Sequence, residues 1–305
     1  MMGLTENILV RCSGISKTYP GKPPVSALRE ISMEVSKGEI FGLIGPDGAG
    51  KTTLFRMLAT LALPDTGHID ISGWDTRKDF RVLRNIIGYM PGRFSLYQDL
   101  SVKENLEFFA GVFNTTVEKN YDLIRDIYVQ IEPFSSRKAG KLSGGMKQKL
   151  ALCCALIHQP ELLILDEPTT GVDPVSRKEF WEMLRKLKEQ GITIVVSTPY
   201  MDEAVLCGRI ALIQSGSIMG IDTPDNIIQA YKRTLYAMQS GDNYGLLGEL
   251  RRRPEVNSCY IFGESLHVTF ADVDNGGLLE ELGQENVRIW EIRPTIEDCF
   301  IDLME

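Results

Sequence analysis

The chain has 305 residues, which as a prior allows two domains, and 43% of them are hydrophobic, enough for a real core. Its net charge of −8 argues against broad contact with a nucleic-acid backbone. No stretch approaches the ~20 uninterrupted apolar residues of a membrane-spanning helix, and residues 1–6 carry no apolar run with a basic flank that would mark a secretory leader.

In chain order, residues 7–90 are expected to form an α/β core with an antiparallel β flank. Within them, Glu39-Ile40-Phe41-Gly42-Leu43-Ile44 reads as a short buried strand, and Thr53-Leu54-Phe55-Arg56-Met57-Leu58 as the start of a helix. Between the two lies Gly45-Pro46-Asp47-Gly48-Ala49-Gly50-Lys51-Thr52, which fits every position of G-x-x-x-x-G-K-[ST]. A strand, a glycine loop and a helix start gather backbone N–H groups and a helix N-terminus at one spot, and such a spot attracts phosphate. Lys51 would reach the β- and γ-phosphates and the Thr52 hydroxyl would ligate Mg²⁺.

Residues 93–150 read as an inserted helical region. Ser101-Val102-Lys103-Glu104 is a capping box. The helix it opens carries Leu106, Phe108, Phe109, Val112 and Phe113, and core packing is expected for most of its aromatics. The region closes on Leu142-Ser143-Gly144-Gly145-Met146-Lys147-Gln148. Ser143 and two glycines at a helix start make a second anion-binding end, with an ordinary N-cap as the alternative. Two phosphate sites so far apart in one chain make sense if the second serves the nucleotide of another copy.

The apolar run Leu162-Leu163-Ile164-Leu165 leads into Asp166-Glu167-Pro168, a buried parallel strand ending in two carboxylates. Asp166 can hold Mg²⁺ through water, and Glu167 can polarise a water that attacks the γ-phosphate. A strand followed by a solvated turn is the plainer alternative. Phe180, Leu184 and Leu187 share one helical face, residues 192–196 read as a strand leading into Pro199, and residues 209–214 and 216–221 as a hairpin. From about Ala230 the character changes. Strand 235–238, helix 244–252, a hairpin of 259–262 and 266–270 across Gly263-Glu264, helix 278–282, strand 287–292 and helix 294–304 give the order β-α-β-β-α-β of a small ferredoxin-like domain. Arg251-Arg252-Arg253 reads as a solvated helix end, with contact to anionic lipid as the alternative. Cys12, Cys153, Cys154, Cys207, Cys259 and Cys299 include no C-x-x-C pair and read as small buried hydrophobes in a reducing compartment.

Together, GPDGAGKTT, LSGGMKQ, LLILDEP and the following Gly171-Val172-Asp173 resemble the Walker A, signature, Walker B and D-loop motifs of ATP-binding cassette (ABC) ATPases, over about residues 7–225. The finer texture resembles the multidrug-exporter branch of the daunorubicin-resistance type, which energises separate ABC-2 permeases. The resemblance implies an α/β P-loop NTPase core with an antiparallel β flank and an inserted helical subdomain, residues 1–228, and a small α+β accessory domain, residues 229–305. It implies a head-to-tail dimer, of like or unlike subunits, that sandwiches two ATP molecules with Mg²⁺, sits on the cytoplasmic face of the membrane through a permease, and binds no nucleic acid. Gly45, Pro46, Asp47, Gly48, Ala49, Gly50, Lys51, Thr52 and Thr53 would cradle the phosphates, with Thr52 and Asp166 at the metal and Glu167 as the catalytic base. Ser143, Gly144 and Gly145 of one subunit would reach the γ-phosphate held by the other's Lys51. Tyr19 matches the aromatic that stacks on adenine, a contact worth ~1–3 kcal/mol; a strand-end tyrosine before a Pro-Gly turn is the alternative. The segment 92–98 is expected to meet the permease. The tail from Arg293 to Phe300 resembles that of ABC-2 exporter ATPases, where it aids dimer contact or docking.

Two residues depart from the family pattern. Gly92, in Tyr89-Met90-Pro91-Gly92-Arg93, stands where glutamine is usual, and Pro199, in Ser197-Thr198-Pro199-Tyr200, stands where histidine is usual. Proline offers no side-chain donor and no N–H. Loss of one preorganised donor costs ~3–4 kcal/mol, roughly 100- to 1,000-fold in rate. The expectation is therefore a slow ATPase, with a hydrolysis-poor, nucleotide-gated or dimer-partner subunit as the alternative. Arg93 reads as a surface charge. Asp47 replaces a commoner asparagine, which a loop tolerates if the carboxylate accepts its N–H groups.

Overall fold

Two 12-residue strands, β1 (Ile8–Tyr19) and β2 (Val25–Ser36), pair antiparallel at the start of the chain. They are followed by β3 (Ile40–Ile44), α1 (Lys51–Leu58), β4 (Thr66–Ile71), β5 (Trp74–Asp75), α2 (Phe80–Ile86) and β6 (Ile87–Met90). Helices α3 (Val102–Val112), α4 (Tyr121–Tyr128) and α5 (Gly144–Leu156) form the helical insertion. Then come β7 (Leu162–Asp166), α6 (Pro174–Glu189), β8 (Thr193–Thr198), β9 (Arg209–Gln214) and β10 (Ser217–Asp222). The computed structural model describes residues 7–271, 280, 283 and 287–304. It divides into one compact unit up to Pro224 and another from Asp225.

The first unit is built on a six-stranded sheet of order β10-β9-β3-β8-β7-β6, parallel except for β10. Strands β3, β7 and β8 are buried at every residue, as continuous apolar runs in a parallel sheet should be when both faces are covered. A second, antiparallel sheet of order β2-β1-β4-β5 supplies the flank. Leu43, Leu54, Phe55, Ile164, Val195 and Ile213 belong to the core that joins the two sheets through α1.

Local chemistry sets the helix starts. Ser101 and Glu104 exchange the two hydrogen bonds of a capping box at α3. Asp173 caps α6 with Pro174 in its first turn. Phe180, Leu184 and Leu187 of α6 are buried. Core packing, expected for most of the aromatics in this stretch, fails: Phe108 is 41% exposed and Phe109 and Phe113 are only half-buried, while Leu106 is buried and Val112 is 57% exposed. Val112 lines a groove, and Phe108 meets Tyr97 edge to face.

The second unit contains α7 (Pro224–Gln229, whose first residue closes the first unit), β11 (Leu235–Gln239), α8 (Asn243–Leu250), β12 (Val256–Phe262), β13 (Ser265–Phe270), β14 (Arg288–Ile292) and α9 (Ile296–Asp302). Its sheet is antiparallel throughout, in the order β12-β13-β11-β14. That is the strand order of a ferredoxin-like β-α-β-β-α-β chain. The helix expected at 278–282 lies outside the described residues apart from Glu280. Leu246 and Leu250 of α8 pack with Met238, Leu266 and Val268 on one face of the sheet. Among the described residues no helix is long and apolar enough to cross a membrane. All six cysteines are free and buried, and burial pushes each thiol up, Cys12 to about 12 and Cys259 to about 11.

One buried polar pair ties α9 to the sheet. His267 Nδ1 of β13 lies 2.7 Å from Asp298 Oδ1, and Asp298 Oδ2 accepts from the Thr295 N–H at 2.7 Å and hydroxyl at 2.6 Å. Burial alone would raise the Asp298 carboxyl, but the bonds from His267 and Thr295 outweigh it and hold the group below its ordinary 3.8. A depressed carboxyl stabilises the fold above its unfolded pKa and loses that contribution as the pH falls through its folded value. Asp298→Ala, which leaves several buried donors unpaired, should therefore destabilise this unit by about 2 kcal/mol at neutral pH. Hydrogen exchange across β13 measures it, and unchanged protection there would contradict this role of Asp298.

Candidate active site

The carboxyl ends of β3, β7 and β8 lie side by side. Ile44 pairs with Thr198 and Asp166 with Ser197 in the sheet register. Everything that follows these strands is thereby delivered to one edge, where ligands of open α/β sheets bind.

The loop after β3 turns so tightly that glycine is required twice. A Cβ on Gly45 would lie 2.1 Å from the Ile213 carbonyl oxygen. Gly50 caps α1 at φ 109°, and its Cβ would lie 2.5 Å from the Ala27 carbonyl oxygen. Lys51, 3% exposed, sends its ammonium back over the loop to the carbonyls of Gly45 (2.8 Å) and Pro46 (3.0 Å) and to Glu167 Oε1 (3.1 Å). Ala49 is buried beneath the loop, its N–H donating to Pro46 O. Asp47 is exposed and its carboxylate accepts no loop N–H among the described residues, so the accommodation expected for it is absent.

The two carboxylates at the end of β7 differ in setting. Asp166 is buried, and its Oδ1 accepts from the Thr52 hydroxyl at 3.2 Å and the Ser197 hydroxyl at 2.8 Å. Burial pushes its carboxyl up; the two hydroxyls and the nearby Lys51 charge act the other way. Glu167 follows at φ 50°, a left-handed conformation that is unfavourable for a glutamate. Its N–H donates to Ser197 Oγ at 3.0 Å and Ser197 O at 3.2 Å, which fixes that conformation. Ser197 thus orients the Asp166 carboxylate directly and holds the backbone that carries Glu167. The sequence reading missed it, because one serine in a buried apolar strand has no periodic signal; its position in register opposite Asp166 reveals it.

A cleft of about 380 Å³ opens over the loop. Gly48, Gly50, Lys51, Thr52, Thr53 and Glu167 line its phosphate-sized end, and Tyr19 lines it as well. Val25, Ser26, Ala27, Arg29 and Ser215 complete the lining and were not anticipated. Ser143, Gly144 and Gly145 do not line this cleft. Ser143 caps α5, its hydroxyl accepting from Met146 N at 3.4 Å, and a Cβ on Gly145 would meet Ser176 Oγ of α6 at 2.9 Å.

The two unusual positions flank the carboxylates. A Cβ on Gly92 would lie 3.0 Å from the Asp166 carbonyl oxygen. Arg93, next to it, is exposed. Pro199 follows directly on β8, and the segment after it is pinned. Buried Glu203 accepts from the Thr169 hydroxyl at 3.0 Å and from Arg177 Nε at 3.0 Å, and the Arg177 guanidinium lies 4.2 Å from the centre of the Tyr200 ring.

A glycine loop, a buried lysine and a strand-end glutamate over one cleft, with a buried aspartate bonded to Thr52 behind them, define a P-loop nucleotide-binding protein of the NTPase class. Residues 28–170 match the ABC transporter family. The chain is 38% identical over 306 residues to a probable multidrug ABC transporter ATP-binding protein of Escherichia coli strain K12, covering 98% of this chain but 52% of that protein, so it spans about half of that relative's length. It is 35% identical over 301 residues to the Nod factor export ATP-binding protein I of Rhizobium sp. strain N33, covering 98% of this chain and 97% of the relative. Among solved structures it is similar to a dimeric ATP-binding cassette bound to ADP and phosphate in a post-hydrolysis state, at 26% identity and a TM-score of 0.64, covering 70% of this chain and 98% of the other. The chain belongs to the ABC transporter ATP-binding family.

Ser197→Ala removes the hydroxyl that donates to the Asp166 carboxylate and accepts from the Glu167 backbone N–H. Hydrolysis of Mg-ATP should fall about 10- to 100-fold, as is common when an orienting partner is removed, while ATP binding persists. Steady-state turnover and calorimetric binding measured together check this; unchanged turnover would contradict it.

Proposed function

We propose that this chain binds Mg-ATP in the cleft over Gly45–Thr53 and hydrolyses it to drive export by a separate membrane permease of the ABC-2 type. The observation that carries this reading is a cleft lined by Tyr19, Lys51, Thr52 and Glu167, with buried Asp166 bonded to Thr52 behind it. Lys51 would exchange Glu167 for a γ-phosphate, Tyr19 would stack on the base, and Glu167, released, would act as general base toward water. Thr52 and Asp166 offer the hard oxygen donors that suit Mg²⁺. No cluster of three or more His, Cys, Asp or Glu among the described residues could hold a metal unaided, so a bound Mg²⁺ would take further ligands from phosphates and water. Its chemistry would be to neutralise charge on the β- and γ-phosphates.

The placement of Ser143, Gly144 and Gly145 outside their own cleft favours a head-to-tail pair in which they complete the partner's nucleotide site. The partner is a second copy or another ABC subunit. The permease would seat in a groove of about 490 Å³ that Met90, Pro91, Phe94, Phe109, Val112 and Phe113 help to line. Exposed Tyr97 and Phe108, in edge-to-face contact at 4.8 Å, lie beside it. This would hold the chain at the inner face of the membrane. The relatives named for multidrug and Nod factor export support the outward direction.

Gly92 and Pro199 favour a second reading, a subunit that binds nucleotide and gates its partner while hydrolysing little. Steady-state Mg-ATP hydrolysis by the purified chain, with Glu167→Gln as control, separates the two. The motor reading predicts turnover that the control lacks. Turnover no greater than the control's, with ATP bound, would overturn it in favour of the gated subunit. Ser143→Arg should abolish ATP-dependent dimerisation of Glu167→Gln chains and leave ATP binding intact, as read by sizing chromatography. A dimer that survives would refute the shared site.

A further inference from the structure

Of the Lys, Arg, Asp and Glu side chains among the described residues, the fold buries Lys51, Asp166, Glu203 and Asp298. The first two belong to the nucleotide site and the last ties α9 to its sheet. Glu203, 2% exposed in the 3₁₀ turn Met201–Leu206, lines no part of the nucleotide cleft. An ionised carboxylate is costly to bury unless it is paired and hydrogen-bonded. We propose that Glu203 is a positioning residue for the nucleotide site: through Thr169 it holds the turn that carries Glu167, and through Arg177 it fastens that turn to α6.

The carboxylate is divided between two partners. Its Oε2 accepts from the Thr169 hydroxyl at 3.0 Å and its Oε1 from Arg177 Nε at 3.0 Å. Arg177 is fixed in turn. Its Nη2 donates to the Asp202 carboxylate at 3.2 and 3.3 Å, and its guanidinium lies against the Tyr200 ring. Thr169 is buried, and its hydroxyl donates to an ionised acceptor, a stronger bond than one between neutral groups.

Thr169 sits inside the turn that follows β7. The Thr170 N–H donates to Glu167 O at 3.2 Å and the Val172 N–H to Thr169 O at 3.2 Å. The Thr170 hydroxyl lies 3.5 Å from Glu167 Oε2. This turn therefore acts on both the backbone and the carboxylate of Glu167 from the downstream side, while Ser197 holds the Glu167 N–H. Its far end runs into Asp173, the cap of α6, and the Arg177 N–H donates to Asp173 O at 2.9 Å. Thr169, Glu203, Arg177 and Asp173 close a ring, and Glu203 is the member that joins the segment after β8 to the other two. Neither Thr169, Arg177 nor Glu203 lines the cleft, so the ring bears on the placement of Glu167 and not on the contacts that would hold a nucleotide. The catalytic consequence rests on the Mg-ATP hydrolysis proposed above.

The test compares the full natural chain with Thr169→Val, which keeps the shape and removes the hydroxyl, Thr169→Ser, which keeps the hydroxyl, and Glu203→Gln. In the nucleotide-free protein, amides of residues 167–172 should exchange hydrogen about tenfold faster in Thr169→Val and Glu203→Gln and at the natural rate in Thr169→Ser, with β3 unchanged in all. Steady-state kcat for Mg-ATP should fall about tenfold in the first two variants, with the Kd for ATP within about twofold of natural, and Thr169→Ser should restore it. The double variant Thr169→Val/Glu203→Gln should fall no further than Glu203→Gln alone, because both changes break one contact. Natural exchange at 167–172 in Thr169→Val would overturn the proposal. So would natural turnover in that variant, or kcat and ATP affinity falling together, the mark of a general structural contact. A natural chain with no turnover beyond its Glu167→Gln control would sink the motor reading instead, and the exchange result would still decide whether Glu203 holds the turn.

Discussion

A buried ammonium organises this molecule. Lys51 is almost fully removed from water, and an ammonium in that position must find oxygen partners or lose its charge. It finds them in the Gly45 and Pro46 carbonyls and in Glu167. Each partner depends on something further away. The carbonyls point inward because Gly45 passes against Ile213 of β9 and Gly50 turns left-handed beneath Ala27 of β2. Glu167 faces the lysine because Ser197 of β8 holds its strained backbone. Four strands and both sheets thus contribute to one charge. On the proposed function, the lysine–glutamate contact sets what a nucleotide would have to do on entry: its phosphate would replace a carboxylate and leave that carboxylate free to meet water.

The sequence made the parts of this site that rest on local backbone rules legible. The loop needs glycines at fixed offsets and a lysine at the helix start, and the capping box at Ser101 needs two residue types three apart; such demands are written in consecutive residues. Strands β3, β7 and β8 were legible because burial on both faces forces an unbroken apolar run. What depends on register or on neighbours from distant segments was not legible. Ser197 acts through its alignment with Asp166, and Arg29 and Ser26 enter the cleft because the β1–β2 hairpin folds over the loop. The α3 stripe shows the limit of periodicity: it identifies an apolar face but not what covers it. Phe108 and Val112 carry the same pattern as Leu106, and only Leu106 is buried.

The two unusual residues are set into an otherwise well-supported arrangement. Gly92 is exposed, and a side chain there would press on the Asp166 carbonyl oxygen. Pro199 removes both a side-chain donor and a backbone N–H, yet the segment behind it is held by Glu203, Arg177 and Thr169. These bonds connect the end of β8 to the residues after Glu167 and to α6. The scaffold that would carry movement between the nucleotide and the neighbouring elements is therefore present, while the side chains that most directly touch a phosphate at those two positions are not. On the proposed function, the chemistry would fall more heavily on Lys51 and Glu167.

The most direct test of this account is the affinity of the purified chain for ATP, measured by calorimetry and compared with Lys51→Met, which keeps an unbranched side chain one atom shorter and removes its charge. The account predicts binding by the natural chain and a loss of at least about 100-fold in the variant, with the fold unchanged by circular dichroism. Equal affinity in the two proteins would contradict it, because the ammonium at the centre of the cleft would then not be what holds the phosphates.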